Sequence, residues 1–159
     1  MEELTLKSTI IVAQYDELSQ EDKELIDAAK KMTENSYAPY SKFKVGAAIR
    51  LVNGLIVTGS NQENAAYPSG LCAERTTLFF ANSQYPNQAV TDLAIAAQTN
   101  HSFTDSPCPP CGACRQVIKE TEDRYHQPMR ILLYGKKAIY IIKGIKDLLP
   151  LQFNASFME

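Results

Sequence analysis

Two short stretches, CAER at residues 72–75 and PCGAC at residues 110–114, are expected to come together in the folded chain. They contain three cysteines and one glutamate. Cys111 and Cys114 are three positions apart, so on a helix they share one face and lie a turn apart. Cys72 can bring a third sulfur to the same place. Because catalytic zinc sites keep one position open for water, three cysteines beside a free acid indicate such a site.

Glu74 is the free acid of this pattern, and it follows Cys72 by two residues. At the mouth of a helix, both side chains can border a group that is held on the helix axis. A carboxylate there can take a proton from water and deliver it to a substrate. A glutamate at a helix start more often stabilises the helix dipole. Beside Cys72, and with the second cysteine block present, we favour the catalytic assignment.

Two arginines, Arg75 and Arg115, follow the candidate ligands closely. Helix N-termini, where both cysteine blocks are predicted to lie, favour thiolates. Three thiolates on Zn²⁺ nevertheless leave a net negative charge, which weakens the metal as a Lewis acid. Arg75 and Arg115 are the candidates to offset that charge from the second shell, although either could be a solvated surface arginine.

Cys108 complicates the metal assignment because it extends the second block to C-x-x-C-x-x-C. That spacing, with Cys72 as a fourth ligand, also suits an iron–sulfur cluster or a closed four-cysteine zinc module. We interpret Cys108 as a spare thiol in an enlarged loop. His101 and His126 are isolated, and we expect both to be loop or surface histidines.

Length and composition are those of an ordinary globular protein: 159 residues, 45% apolar, 21% charged and a net charge of −2. We expect a single domain over residues 1–159. A near-neutral charge gives no basic footprint for a nucleic acid polymer. No apolar run reaches the roughly 18 residues of a membrane span. Glu2 and Glu3 stand where a signal peptide would be basic, so we expect a cytoplasmic protein with its cysteines reduced.

The hydrophobic pattern predicts an α/β fold with one five-stranded mixed sheet and helices on both of its faces. Ser19 caps the first predicted helix, and Asn53 and Gly54 form a hairpin turn between the first two strands. Residues 1–15 are an extension of uncertain structure. The predicted strands are 44–51, 55–59, 92–98, 130–134 and 138–142. The later helices are 72–81, 111–121 and a short one at 145–149.

Several blocks together resemble the cytidine deaminase family, in its short-chain homotetrameric form. The resemblance runs from about Ser36 to Phe153. It rests on YSKFKVGAA at 40–48, NQENA at 61–65, CAER at 72–75, PCGACRQV at 110–117 and LLP at 148–150. It implies a three-layer α/β/α fold and one Zn²⁺ per protomer. The implied reaction is hydrolytic deamination of cytidine and 2′-deoxycytidine to the uridine nucleosides and ammonia, in pyrimidine salvage.

The resemblance also implies substrate contacts. Asn61 and Glu63 would hydrogen-bond the ribose 3′ hydroxyl, and an amide beside a carboxylate suits a group that both donates and accepts. Ala73 would offer its backbone amide to the base. Phe43 and Tyr67 would line the pocket, although each could instead be a packing aromatic.

The block around residues 148–153 implies assembly. In the family its aromatic residue reaches the active site of a neighbouring subunit, so the resemblance implies a homotetramer with active sites at subunit interfaces. Phe153 would then cover the pyrimidine in trans, unless it packs back on its own subunit.

Two other interpretations remain. The nearest enzyme alternative is blasticidin-S deaminase, against which Arg75 and the run at residues 61–65 favour a nucleoside substrate. The alternative from another class is a non-catalytic metal protein, either a closed four-cysteine zinc module or an iron–sulfur carrier.

Overall fold

The computed structural model describes residues 1–158, and a mixed sheet of seven strands runs through it in the order β1-β7-β6-β4-β2-β3, with β5 paired to β4. The strands are β1 (Ile11–Ala13), β2 (Lys44–Leu51), β3 (Ile56–Ser60), β4 (Val90–Thr99), β5 (Ser102–Phe103), β6 (Arg130–Tyr134) and β7 (Ile139–Ile142). The helices are α1 (Gln20–Met32), α2 (Ala73–Gln84) and α3 (Gly112–Tyr125).

Side chains alternate between the two faces of the sheet, and this alternation creates three layers. On β2 and β4, Ile49 and Ile95 point to the face covered by α2 and α3. The neighbouring Ala48 and Ala94 point to the other face, where α1 packs with Leu25 and Ile26 in a smaller cluster. The predicted α/β/α arrangement is confirmed.

The turn and cap signals read from the sequence are also present. Gly54 has a φ of 86°, and its amide donates to the carbonyl of Leu51 within the β2–β3 turn. Such a positive φ is readily available to glycine. The hydroxyl of Ser19 accepts a hydrogen bond of 3.1 Å from the amide of Asp22 and so caps α1.

The sheet has seven strands and not five, because two very short strands extend it. β1 lies in the N-terminal extension and pairs antiparallel with β7 at one edge of the sheet. β5 lies between the predicted strand 92–98 and the predicted helix 111–121, and it pairs with the end of β4. Strands of three and two residues are too short to show a period. The helix expected at residues 145–149 is a 3₁₀ turn, Ile145–Asp147.

One parallel pair brings the two cysteine blocks together. β4 and β6 are parallel neighbours, and α3 forms the crossover between them. That crossover places α3 beside α2, on the same face of the sheet. No helix in residues 1–158 is long and apolar enough to cross a membrane.

Candidate metal centre and substrate cavity

Three sulfurs meet where α2 and α3 begin. Cys72 is the N-cap of α2 and Cys111 the N-cap of α3, while Cys114 is buried in the first turn of α3. Neither N-cap side chain accepts a capping hydrogen bond from a backbone amide, so both sulfurs are available to other partners. The three Sγ atoms lie within 4.8 Å of one another. The structure therefore brings together the three cysteines that the sequence singled out.

The spacing of the sulfurs fits zinc. The Sγ atoms of Cys72 and Cys111 are 3.8 Å apart, and those of Cys111 and Cys114 are 3.4 Å apart. Two sulfurs bound tetrahedrally at the usual Zn–S length of roughly 2.3 Å would be separated by about 3.8 Å. The cluster thus needs little rearrangement to hold one ion.

The electrostatics of the cluster also suit a bound cation. Hydrogen bonding, chiefly from Cys114 and then from Arg75, lowers the pKa of Cys72 to about 5. The bond to Cys72, together with burial, raises the pKa of Cys114. The coupled pair therefore favours the thiolate at Cys72 and the thiol at Cys114. A bound cation favours the ionised form of its cysteine ligands, so metal binding at this pair is coupled to release of a proton.

Cys108 lies outside this group. Among the described residues, the converging sulfurs are those of Cys72, Cys111 and Cys114 only. Its thiol donates to the carbonyl of Pro109, at 3.8 Å. Burial, and then the nearby charge of Glu74, raises the pKa of Cys108. The geometry favours a three-cysteine site over a four-cysteine cluster.

Glu74 is 5% exposed, in the first turn of α2. Burial raises the pKa of its carboxyl group, and the charge of Cys72 raises it further. A carboxyl group that is taken out of water and lies beside a sulfur cluster is a candidate for proton transfer.

The two arginines behave differently. Arg75 donates to the Sγ of Cys72 over 3.7 Å, and its buried Nε has no partner among the described residues. Arg115 instead donates to two carbonyl groups, that of Pro110 at 2.9 Å and that of Leu148 at 2.6 Å. Arg75 therefore touches the cluster directly, whereas Arg115 ties the start of α3 to the LLP block.

An open cavity of about 560 Å³ lies over Cys72. Of the predicted site, the residues that line it are Asn61, Glu63, Tyr67, Cys72 and Arg75. The predicted substrate contacts Phe43, Ala73 and Phe153 do not line it, and neither do Glu74, Cys111, Cys114 and Arg115. The full lining is Tyr40, Ser41, Asn61, Gln62, Glu63, Asn64, Tyr67, Gly70, Leu71, Cys72 and Arg75.

Asn61 and Glu63 are held firmly and still have capacity for a ligand. The Oδ1 of Asn61 accepts from Val45 and Ser36, and its Nδ2 donates to the carbonyl of Phe43. One N–H of the amide remains free. The carboxylate of Glu63 accepts two backbone amides on Oε2 and the Ser41 hydroxyl on Oε1. One further donor can reach Oε1, so the pair offers one donor and one acceptor.

Ser41 lines the cavity and bonds Glu63, and the sequence did not predict it as part of the candidate site. Its hydroxyl bond is the largest cause of the lowered pKa of Glu63. The signal was present, because Ser41 lies inside the YSKF block, but its role depends on a turn that only the structure shows. Tyr40 was also missed; its ring contacts that of Tyr67 edge to face at 6.2 Å.

The three remaining predicted residues lie around the cavity or apart from it. Ala73 is fully buried at the first position of α2. Phe43 is half-buried and reaches the site through its carbonyl bond to Asn61. Phe153 is 57% exposed, stacks on Phe157 at 5.9 Å and accepts a bond from Gln116 through its carbonyl.

Known proteins with similar sequences share this region. The family described as the cytidine and deoxycytidylate deaminase zinc-binding region matches residues 19–126. The cytidine deaminase of Halalkalibacterium halodurans is 46% identical over 96 residues, which cover 60% of this chain and 68% of that protein. A probable cytidine deaminase of Dictyostelium discoideum is 38% identical over 107 residues, covering 67% and 69% of the two chains.

Solved structures agree with the sequence matches. The cytidine deaminase of Burkholderia pseudomallei superimposes with a TM-score of 0.70 at 37% identity, over 82% of this chain and 97% of that one. The enzyme of Mycobacterium tuberculosis gives a TM-score of 0.64 at 31% identity, over 82% and 95% of the two chains. With its sheet, its three converging cysteines and these matches, the chain belongs to the zinc-binding cytidine and deoxycytidylate deaminase family.

Proposed function

We propose that this protein is a zinc-dependent hydrolase that converts cytidine and 2′-deoxycytidine to uridine and 2′-deoxyuridine, with release of ammonia, in pyrimidine salvage. The observation that carries the proposal is the burial of Glu74 at a three-sulfur cluster beneath an open cavity. Cys72, Cys111 and Cys114 would hold one Zn²⁺ per protomer. When bound, the ion supplies a Lewis acid that makes water a better nucleophile at neutral pH.

Glu74 moves the protons. It takes one from the attacking water and gives it to the ring nitrogen beside the reacting carbon. It then takes the remaining proton from the added hydroxyl group and delivers it to the exocyclic amine, so that the carbon–nitrogen bond breaks, a carbonyl group forms and ammonia leaves. Burial raises the pKa of Glu74, which makes its carboxylate a better base towards the attacking water.

The charged residues around Glu74 support this transfer. Arg75 places a positive charge on the sulfur of Cys72, which limits the electron density that this ligand gives to the metal. Arg115 acts at a distance, because its bonds to Pro110 and Leu148 hold the segment that presents Cys111.

The cavity wall holds the nucleoside. We propose that the free N–H of Asn61 and the free position on Glu63 bind the ribose 3′ hydroxyl as donor and acceptor. The backbone amide of Ala73 would face the base, and Phe43 and Tyr67 would pack against the nucleoside. The net charge of −2 supports a small substrate over a nucleic acid polymer.

We also propose that residues 1–159 form one domain, that the protein works in the cytoplasm and that it assembles as a homotetramer with its active sites at subunit interfaces. Two observations support assembly. Phe153 is exposed and lies outside the cavity of its own protomer. Phe79 and Phe80, on α2, are 47% and 52% exposed, and paired exposed aromatics are typical of association surfaces.

A substrate panel tests the proposal. The purified protein is assayed with cytidine, 2′-deoxycytidine, cytosine and CMP, while its metal is measured and its visible spectrum recorded. We expect a colourless protein with one zinc per protomer that releases ammonia from the two nucleosides and much less from cytosine. Absorption near about 400 nm would instead indicate iron–sulfur ligation, and activity on neither nucleoside would overturn the assignment.

A further inference from the structure

A second pocket, of about 320 Å³, lies beside the substrate cavity. The same turn serves both, since Ser41 lines the cavity while Lys42 lines the pocket. The other walls are Lys44, Gln98, Asn100 and His101. Lys44 and Gln98 are register partners in the β2–β4 ladder, so a paired backbone forms the floor.

The lining of this pocket is cationic and rich in donors. It has two lysines, one histidine and two amide side chains, and no carboxylate. All five side chains can donate N–H groups. Among the described residues, neither Lys42 nor Lys44 makes an ion pair, whereas the nearby Lys136 and Lys137 both pair with Asp105.

The backbone around the pocket is unusual in a second, independent way. Four non-glycine residues in the described part of the chain have a positive φ, and three of them line this pocket. They are Lys42, Asn100 and His101, with φ values of 58°, 50° and 61°. Such conformations cost free energy for most residues other than glycine, although asparagine tolerates them, and they concentrate where function requires them.

The tight connection between β4 and β5 explains the position of His101. Asn100 and His101 are its only two residues, and both have left-handed φ values, as a two-residue hairpin loop of the primed type requires. Glycine normally takes the second position without strain. In this chain His101 occupies that position and lines the pocket. The strained backbone therefore carries an imidazole, which glycine could not provide.

We propose that this pocket binds a phosphate group, either of inorganic phosphate or of a mononucleotide. A tetrahedral anion can accept from several convergent donors at once, and unpaired lysines supply the charge-assisted bonds that make such contacts strong. The pocket is at the lower end of the usual size range for small-ligand sites, which suits a phosphate group better than a whole nucleotide. The inference stands apart from the deaminase assignment, because none of the five residues belongs to the proposed catalytic machinery.

Titration calorimetry on the zinc-loaded protein at constant ionic strength tests this, with inorganic phosphate and CMP as separate probes. We expect saturable phosphate binding with a Kd on the order of 1 mM. The double variant Lys42→Gln/Lys44→Gln should weaken it at least about 10-fold, because charge-assisted hydrogen bonds are lost. The matched control, Lys136→Gln/Lys137→Gln, removes the same charge from lysines that already have a partner and should leave the Kd within about 2-fold.

A second variant tests the pocket without the risk that loss of folding explains the loss of binding. In His101→Asn the new residue tolerates a positive φ, so the hairpin is retained while the imidazole is removed, and phosphate binding should weaken several-fold. If CMP binds more tightly than phosphate and both depend on Lys42 and Lys44, the ligand is a nucleotide; equal affinities indicate the free anion. Absence of saturable binding, or wild-type affinity in the double lysine variant, would overturn the proposal.

Discussion

Glu74 shows most clearly what one residue is expected to contribute, because Glu74→Gln keeps its size and removes its ability to exchange a proton. We expect kcat to fall about 10²-fold to 10⁴-fold, the usual range for a lost general acid–base group. The zinc content should stay at one per protomer, since Glu74 is assigned no metal bond. Glu120→Gln, an exposed substitution on α3, is the control and should keep wild-type kcat. Near-normal turnover in Glu74→Gln would show that another group moves the proton.

The cysteines permit a matched comparison at the same scale. Cys111→Ser should lose stoichiometric zinc, because it removes a sulfur that lies 3.4 Å from that of Cys114. Cys108→Ser should keep the zinc and most of the activity, because its thiol bonds a carbonyl away from the converging sulfurs. Metal analysis of both purified variants decides the matter. Loss of zinc from Cys108→Ser would restore the four-cysteine interpretation.

What the sequence could predict at this scale depended on how local each role is. The cysteine spacing was visible because it reflects one turn of a single helix. The bond from Ser41 to Glu63 was not, since it joins two loops that are distant in sequence. Arg115 was expected to offset the charge of the metal site from the second shell. Its bonds to two carbonyl groups were not predicted, because they depend on the path of the segment at Leu148.

Among the elements, α3 is linked to the rest of the fold through Glu122. Its Oε1 accepts the amides of Met129 and Ile145, at 2.8 and 2.9 Å, and so joins the helix to the start of β6 and to the turn after β7. Burial raises the pKa of this carboxyl group. The folded protein therefore binds this proton more tightly than the unfolded chain does.

The sign of the resulting pH dependence follows from that difference. The tighter binding of the Glu122 proton stabilises the folded state. This contribution is fully present below the unfolded pKa of about 4.3 and is lost as the pH rises through the raised pKa of the folded protein. Glu122→Gln keeps an acceptor oxygen and has no proton to lose. Its free energy of unfolding, relative to wild type, should therefore increase as the pH rises from about 4 to 8. Urea denaturation across this range measures it, with Glu120→Gln as control; a flat difference would contradict the prediction.

Long elements were predictable and short ones were not. β2, β3 and β4 carry enough β-branched and apolar residues to show their period, and α1 has both a cap and a buried stripe. β1 forms by antiparallel pairing with β7, in which Ile11 lies opposite Ile141. A pairing between residues so distant in sequence cannot be predicted from a local pattern. Gly135 gave a similar lesson: a Cβ there would lie 2.5 Å from the nitrogen of Pro107. The loop that leads to Cys111 thus packs against Gly135, between the predicted strands 130–134 and 138–142, and nothing in the sequence indicated this contact.

For the whole molecule, the proposed assembly makes Phe153 the residue that would reach the cavity of a neighbouring subunit. The ring is exposed and stacked on Phe157 in the tail, held by the bond from Gln116 to the Phe153 carbonyl. An apolar ring in water gains by covering another apolar surface, and a pyrimidine in the cavity of a neighbouring subunit is one such surface. If it does so, closing the site also keeps water away from the base.

Phe153→Ala should then raise KM for cytidine while changing the melting temperature little, because the ring is exposed in its own protomer. Phe157→Ala removes a ring of the same size from the same tail and should raise KM less.

The sharper measurement mixes Phe153→Ala with Glu74→Gln subunits after dissociation and reassembly. If the aromatic ring acts in trans, some mixed sites pair an intact Glu74 with an intact Phe153 from the neighbour, so activity above that of either parent returns. If each subunit closes its own cavity, every site in the mixture carries one defect, and well-mixed hybrids will be no more active than their parents.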